Sequence, residues 1–447
     1  MAAAAGCTAS GSSSLPGSSS GPHSIAHIVI LFQENRSFDN LFAGFPGADT
    51  TMSGACLPAP WCKGGKIPLR AITLESTGQI GFGTDIDHSH NGFVIEYNHG
   101  GMNGFDKINL GAAGQGAPAK AYPYSYVERS ETKAYWDFAK QYALADRMFF
   151  TDTAASFIAH QEILSGTVRL NAQESLTDQP DGMPWGCDAP PGTASAIIKT
   201  NGQVDEFGGP YPCFTQYGTI ADLLDAKSVS WKFYVRDWLG SQGDFSGLVW
   251  NGFDAIKKIR FGPDWKKNIS KPNTNVFSDI KNGALPSVSW VMPTLADSDH
   301  PASGCNHGPE WVTSVVNAIG ASKYWNDTAI VLVWDDWGGW YDNVSPAQVS
   351  YTGLGFRVPM IVISPFAKPG SVSHTDYNFG SILKFIEQTF GLGSLGTTDA
   401  SANSIGDIFN FTQPPIRYTQ ETPPKELPCG GSVSPRAIIE HDKGVPE

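Results

Sequence analysis

An α/β fold with a mostly parallel central sheet and helices on both faces is predicted by three features of the chain. Two apolar runs, Ile28-Val-Ile-Leu-Phe32 and Ile330-Val-Leu-Val333, are unbroken. Strands that carry no polar alternation are buried on both faces, as in parallel sheets. An amphipathic segment, Trp311 to Ile319, stands before the second run. Strand and helix in alternation are the units of a parallel sheet.

Taken in order, residues 1–22 are Ala/Ser/Gly-rich and read as a disordered linker. The first strand begins at His27. Lys133 to Tyr142 has helical spacing, Ala143 to Phe150 is a short apolar segment, and Phe157 to Leu164 reads as helix. Residues 169–218 are rich in Gly, Pro and Asp, which marks an inserted lid or loop region. Ser287 to Met292, Ala329 to Trp334 and Val358 to Ile363 read as strands, and Gly380 to Phe390 as helix. One large domain over 23–412 is expected, followed by a Pro-rich surface tail over 413–447. No internal repeat is visible.

Composition narrows the class. The 447 residues include only 16% charged side chains, with 49 Gly and 31 Pro, the balance of a loop-rich secreted protein. A net charge of −13 argues against nucleic acid or an anionic membrane as a long-range partner. No stretch of 18 apolar residues exists, so no transmembrane segment is expected. The seven cysteines contain no CxxC pair, which excludes a zinc-finger type of site. Cys56 and Cys62 flank a Pro-rich loop, and Cys187 and Cys213 flank a Gly/Pro-rich insertion. Disulfides Cys56–Cys62, Cys187–Cys213 and Cys305–Cys429 are therefore expected, in an oxidising compartment. Cys7 is left over, in a context resembling the end of a bacterial lipoprotein signal, so the expected location is secreted, periplasmic or lipid-anchored through Cys7.

The chemistry sits where the buried runs end. The first stops at Gln33-Glu34-Asn35, the second at Asp335-Asp336 followed by Gly338-Gly339. Ligands bind in the crevice beyond the carboxyl ends of parallel strands. Hard oxygen donors on two such ends suit one divalent cation of the Ca, Mg or Mn class. The plainer readings are a helix N-cap at Asn35 or Ser37 and a solvated Asp-Asp turn. Ser156 precedes an apolar-periodic helix and reads as its N-cap. A hydroxyl there also meets the positive end of the helix dipole, where an alkoxide is favoured, and a nearby cation makes it a nucleophile. Histidines beside carboxylates, Asp87-His88 and Asp299-His300, suit phosphate binding or general acid work, with His307 and His374 in similar loops. The alternative for each is an ordinary surface histidine.

Together these motifs resemble the bacterial phosphoesterase family over roughly residues 25–395. The carriers are Gln33 to Asn40, Asp87-His88, Ala155 to His160, Asp299-His300-Pro301 and Trp334 to Asp342. That family holds phosphatidylcholine-type phospholipases C and respiratory-burst-inhibiting acid phosphatases within an alkaline phosphatase-like fold. The resemblance implies one divalent metal on Glu34, Asn35, Asp335 and Asp336, with Ser156 as nucleophile and fifth ligand. It implies catalytic or phosphoryl contacts for His88 and His300, a further catalytic role for His160, and substrate-binding positions at Asn103 and His307. Asp335-Asp336-Trp337 is closer to the acid phosphatase branch than the Asp-Glu-His of many phospholipases C, and Asn103 replaces an acidic residue. The β-rich C-terminal modules of larger phospholipases C are not found.

The implied function is a secreted, metal-dependent phosphoric ester hydrolase, acid phosphatase-like and acting on a phosphate ester through a phosphoseryl intermediate. Phospholipase C cleavage of phosphocholine-type diesters is the alternative, with Trp334, Trp337, Trp340 and Tyr341 read either as choline contacts or as packing. A non-catalytic, cation-dependent binding module is the rival from another class.

Overall fold

The computed structural model describes residues 24–74, 85–237, 244–348, 351–426 and 429. Its centre is a sheet of eight strands: β1 (His27–Gln33), β2 (Ala143–Ala145), β3 (Trp231–Tyr234), β4 (Ile269–Ser270), β5 (Val288–Val291), β6 (Thr328–Trp334), β7 (Met360–Ile363) and β8 (Ser371–Ser373). Their spatial order is β4-β3-β5-β1-β6-β7-β2-β8. The two apolar runs of the sequence lie side by side at the middle, in parallel, with Ile28 opposite Ala329 and Gln33 opposite Trp334. Both strands are buried along Ile28–Gln33 and Thr328–Trp334, which explains their lack of alternation.

Only β7 runs against its neighbours, pairing antiparallel with β6 and β2. The apolar run at Val358 to Ile363 thus forms a strand, but one of reversed direction that composition does not reveal. Helices Lys133–Gln141 (α1), Ser156–Ser165 (α2), Gly308–Gly320 (α3) and Phe379–Phe390 (α4) flank the sheet. Trp311, Val312, Val315, Val316 and Ile319 form the buried stripe of α3, and Gly391 ends α4 in a left-handed turn.

The Gly/Pro-rich stretch over 169–218 is not structureless. It carries a three-stranded antiparallel sheet of Glu174–Leu176, Ile197–Lys199 and Val204–Asp205. All three expected disulfides, Cys56–Cys62, Cys187–Cys213 and Cys305–Cys429, are present. The last joins the C-terminal segment to the loop after His300. Cys7 and the Ser/Gly linker lie outside the described residues. Among the described residues no helix is long and apolar enough to cross a membrane.

Candidate active site

Strands β1, β2, β5 and β6 all point the same way, so their carboxyl ends share one edge of the sheet. Chain direction alone therefore gathers the residues beyond them. Glu34 and Asn35 follow β1, Asp335 and Asp336 follow β6, His300 lies on the loop after β5, and Ser156 opens the helix reached from β2.

The two central ends are locked together. Asp335 N–H donates to Gln33 O at 3.0 Å, and Asn35 N–H donates to Asp335 Oδ1 at 2.6 Å. Asn35 sits at φ +53, a left-handed conformation that asparagine tolerates. Gly338, also at positive φ, leaves no room for a side chain, because a Cβ there would lie 2.3 Å from Asn35 O. A Cβ on Gly339 would strike Ile86 at 2.5 Å. The Gly-Gly pair is thus the floor on which the Glu-Asn loop and the His88 loop rest.

Ser156 is the first residue of α2, not its cap. Ala155 takes the N-cap position, and no side chain caps the helix. The serine hydroxyl instead donates to Asp336 Oδ2 at 3.0 Å and approaches Asn35 Oδ1 at 3.4 Å. His160, one turn along, places Nε2 3.0 Å from Glu34 Oε1. Ligand atoms of Glu34, His160 and Asp335 lie within 4.8 Å of one another.

Charge at this edge is uncompensated. Burial and then repulsion by Asp335 push the Glu34 and Asp336 carboxyls well above the usual carboxylate range. Burial lowers His160 to about 4, so its imidazole is neutral near pH 7. Glu34 Oε2 and Asp335 Oδ2 are buried with no hydrogen-bond partner among the described residues. Buried polar atoms rarely stay unpaired, and clustered carboxylates without a counter-charge are costly. The donor set therefore fits a divalent cation, with Glu34, Asn35, Asp335 and Asp336 supplying hard oxygens.

Ser156 lines a small cavity with His88, His300, Trp185, Phe245, Val249 and Trp250, in which the Trp250 and His300 rings lie 6.1 Å apart. The carboxylates adjacent in sequence to these histidines accept hydrogen bonds from other groups. Asp87 accepts from Ser89 Oγ and N–H, while Asp299 accepts from Tyr135 Oη and Trp334 Nε1. Asp85 faces both rings instead, 3.8 Å from His88 Nδ1 and 4.0 Å from His300 Nε2. Burial lowers the His300 pKa, and Asp85 opposes that effect. The Asp299 backbone fixes the loop, donating from N–H to Gln33 Oε1 and accepting from Arg36 Nε.

Several expected positions lie elsewhere. Asn103 accepts from Asn98 Nδ2 in a turn, His307 precedes α3, and His374 pairs with Asp146 at the surface; none of them lines the cavity. Trp334, Trp337, Trp340 and Tyr341 are buried packing residues rather than cavity walls, with Trp337 Nε1 donating to Glu96. Sequence reasoning missed Asp85, Trp185 and Trp250. Trp250 stacks on His160, with ring centroids 6.4 Å apart, and also lies 6.1 Å from the His300 ring, contacts that only the fold creates.

The chain is similar to several known proteins. The chain is 26% identical over 476 residues to a non-hemolytic phospholipase C of Burkholderia pseudomallei, covering 94% of this chain and 63% of that protein. It is 28% identical to phospholipase C B of Mycobacterium tuberculosis (strain ATCC 25618 / H37Rv), covering 88% of this chain and 78% of that one. A solved protein of the alkaline phosphatase superfamily from Vibrio parahaemolyticus aligns over 87% of this chain and 72% of its own, at 11% identity and a TM-score of 0.38. The sequence profile of the Phosphoesterase family matches residues 25–393, so the chain belongs to that family.

Proposed function

We propose that the protein is a metal-dependent phosphoric ester hydrolase with Ser156 as nucleophile. The observation that carries this reading is the Ser156 hydroxyl, free of any capping role and hydrogen-bonded to Asp336 at 3.0 Å. When bound among Glu34, Asn35, Ser156, Asp335 and Asp336, a divalent cation supplies positive charge that offsets the carboxylates and favours the serine alkoxide. Asp336 Oδ2 accepts the hydroxyl hydrogen bond and takes its proton as Oγ bonds to phosphorus. The N-terminus of α2 lies at the same end, where developing phosphoryl charge is stabilised. His160 holds Glu34. His300 donates a proton to the departing alkoxide, and water then hydrolyses the phosphoseryl ester.

Of the two ester classes, the cavity favours a phosphodiester with an apolar or cationic second substituent. Trp185, Phe245, Val249 and Trp250 line it, and among the described residues no Lys or Arg does. A dianionic monoester gains most from cationic side chains, whereas an aromatic wall suits apolar groups or a quaternary ammonium. The relatives named phospholipase C support the same choice. Trp337, which tilted the sequence toward the phosphatase branch, touches Glu96 rather than the cavity. Three disulfides fit export to an oxidising compartment.

Turnover of p-nitrophenyl phosphorylcholine and of p-nitrophenyl phosphate, with and without chelator, tests both parts. The expected result is chelator-sensitive hydrolysis with the diester preferred. Trp250→Ala is expected to raise the diester KM roughly fivefold, the worth of about 1 kcal/mol of ring contact. Preference for the monoester contradicts the substrate class, and metal binding without turnover of either ester contradicts the hydrolase.

A further inference from the structure

The orientation of the Asn35 side chain is set from outside the carboxylate cluster. Its Nδ2 lies 3.1 Å from His88 Nε2, and His88 Nδ1 lies 2.6 Å from the Ile86 carbonyl oxygen. A carbonyl only accepts, so the imidazole proton is assigned to Nδ1 by this network. With the proton on Nδ1, Nε2 turns its lone pair to one N–H of the Asn35 amide. With Nδ2 held there, Oδ1 turns toward Ser156, 3.4 Å from Oγ. The Asn35 backbone is already fixed by its left-handed φ and its bond to Asp335 Oδ1. What remains free is the amide flip, and only one of its two states presents oxygen to a cation.

We infer that His88 is a positioning residue that sets the Asn35 amide so that its oxygen, not its NH2, faces the carboxylate cluster. The ring is itself held for this task. His88 N–H donates to Ala112 O at 3.1 Å, and Gly339 packs under Ile86 with no room for a Cβ. Asp85, 3.8 Å from Nδ1, favours the proton on that nitrogen. The role differs from the phosphoryl contact that the family resemblance implies, and it rests on the metal-dependent reading above. Partners that orient a metal ligand change metal affinity about 10- to 100-fold when removed.

Mn²⁺ binding to the full chain without substrate, with Ca²⁺ titrated in parallel, separates the possibilities. His88→Leu fills the space but accepts no hydrogen bond, while His88→Gln restores an acceptor without a titrating ring. The Leu variant is expected to bind Mn²⁺ about 10- to 100-fold more weakly, and the Gln variant within a few-fold of the parent. Thermal unfolding of the metal-free proteins checks that each variant folds. Equal affinity in the Leu variant and the parent, or equal loss in both variants, overturns the positioning role. A parent chain that binds neither ion contradicts the metal-dependent reading beneath it.

Discussion

Ser156 Oγ and Asp336 Oδ2 stand 3.0 Å apart although 180 residues separate them in sequence. The contact joins the N-terminus of one helix to the carboxyl end of a central strand. It lies against three buried carboxylates, Glu34, Asp335 and Asp336, of which Glu34 and Asp336 are pushed toward their protonated forms. A protein that tolerates such repulsion does so at the expense of stability, as functional sites commonly do.

Neutralising one carboxylate is therefore expected to stabilise the metal-free protein. In Glu34→Gln a neutral amide replaces the buried carboxyl that Asp335 repels. With chelator at pH 7, its melting temperature is expected to exceed the parent's by about 1 °C, the effect of about 1 kcal/mol in a domain of this size. Metal affinity and ester turnover are expected to fall together. An unchanged or lower melting temperature contradicts the repulsion.

Much of this site was readable before any coordinates. Strands β1 and β6 announced themselves because burial on both faces leaves an unbroken apolar run, and Glu34, Asn35, Asp335 and Asp336 stood out as hard donors at their ends. Edge strands Ile269–Ser270 and Ser371–Ser373 carry too few residues for a pattern. The histidine partners misled for a different reason. Adjacency in sequence suggested Asp87 and Asp299, but their side chains leave the backbone toward Ser89, Tyr135 and Trp334. Asp85 reaches both rings through folding alone. The Ser156 hydroxyl fits an N-cap by residue type, yet Ala155 occupies that position.

Arg357 ties the two motif loops beneath the site. It is fully buried, donates to both carboxylate oxygens of Asp342 at 2.8 and 3.0 Å, and lies 3.8 Å from Asp39. Asp39 is raised to about 7 by burial and then by Asp342. Arg357→Met leaves two buried carboxylates without their counter-charge, so denaturant unfolding is expected to show a loss of about 3–5 kcal/mol. A loss below about 1 kcal/mol means that the network adds little.

The stability of the fold carries a pH signature at Asp152. Burial, followed by repulsion from Asp178, raises its carboxyl to about 7. The folded chain then binds more protons than the unfolded one between about pH 4 and pH 7, so this contribution falls as pH rises through that window. Asp152→Asn is expected to melt higher than the parent at pH 8, and the difference to shrink toward pH 4. A gain independent of pH contradicts the assignment.

Acid-quenched turnover followed by peptide mass spectrometry tests the serine mechanism most directly. The proposed chemistry requires a phosphoryl group on Ser156 in the quenched parent protein, and none in Ser156→Ala, whose turnover is expected to fall at least about 1,000-fold while the chain still folds and binds metal. A Ser156→Ala protein that keeps full chelator-sensitive turnover, with no phosphoserine trapped in the parent, contradicts it.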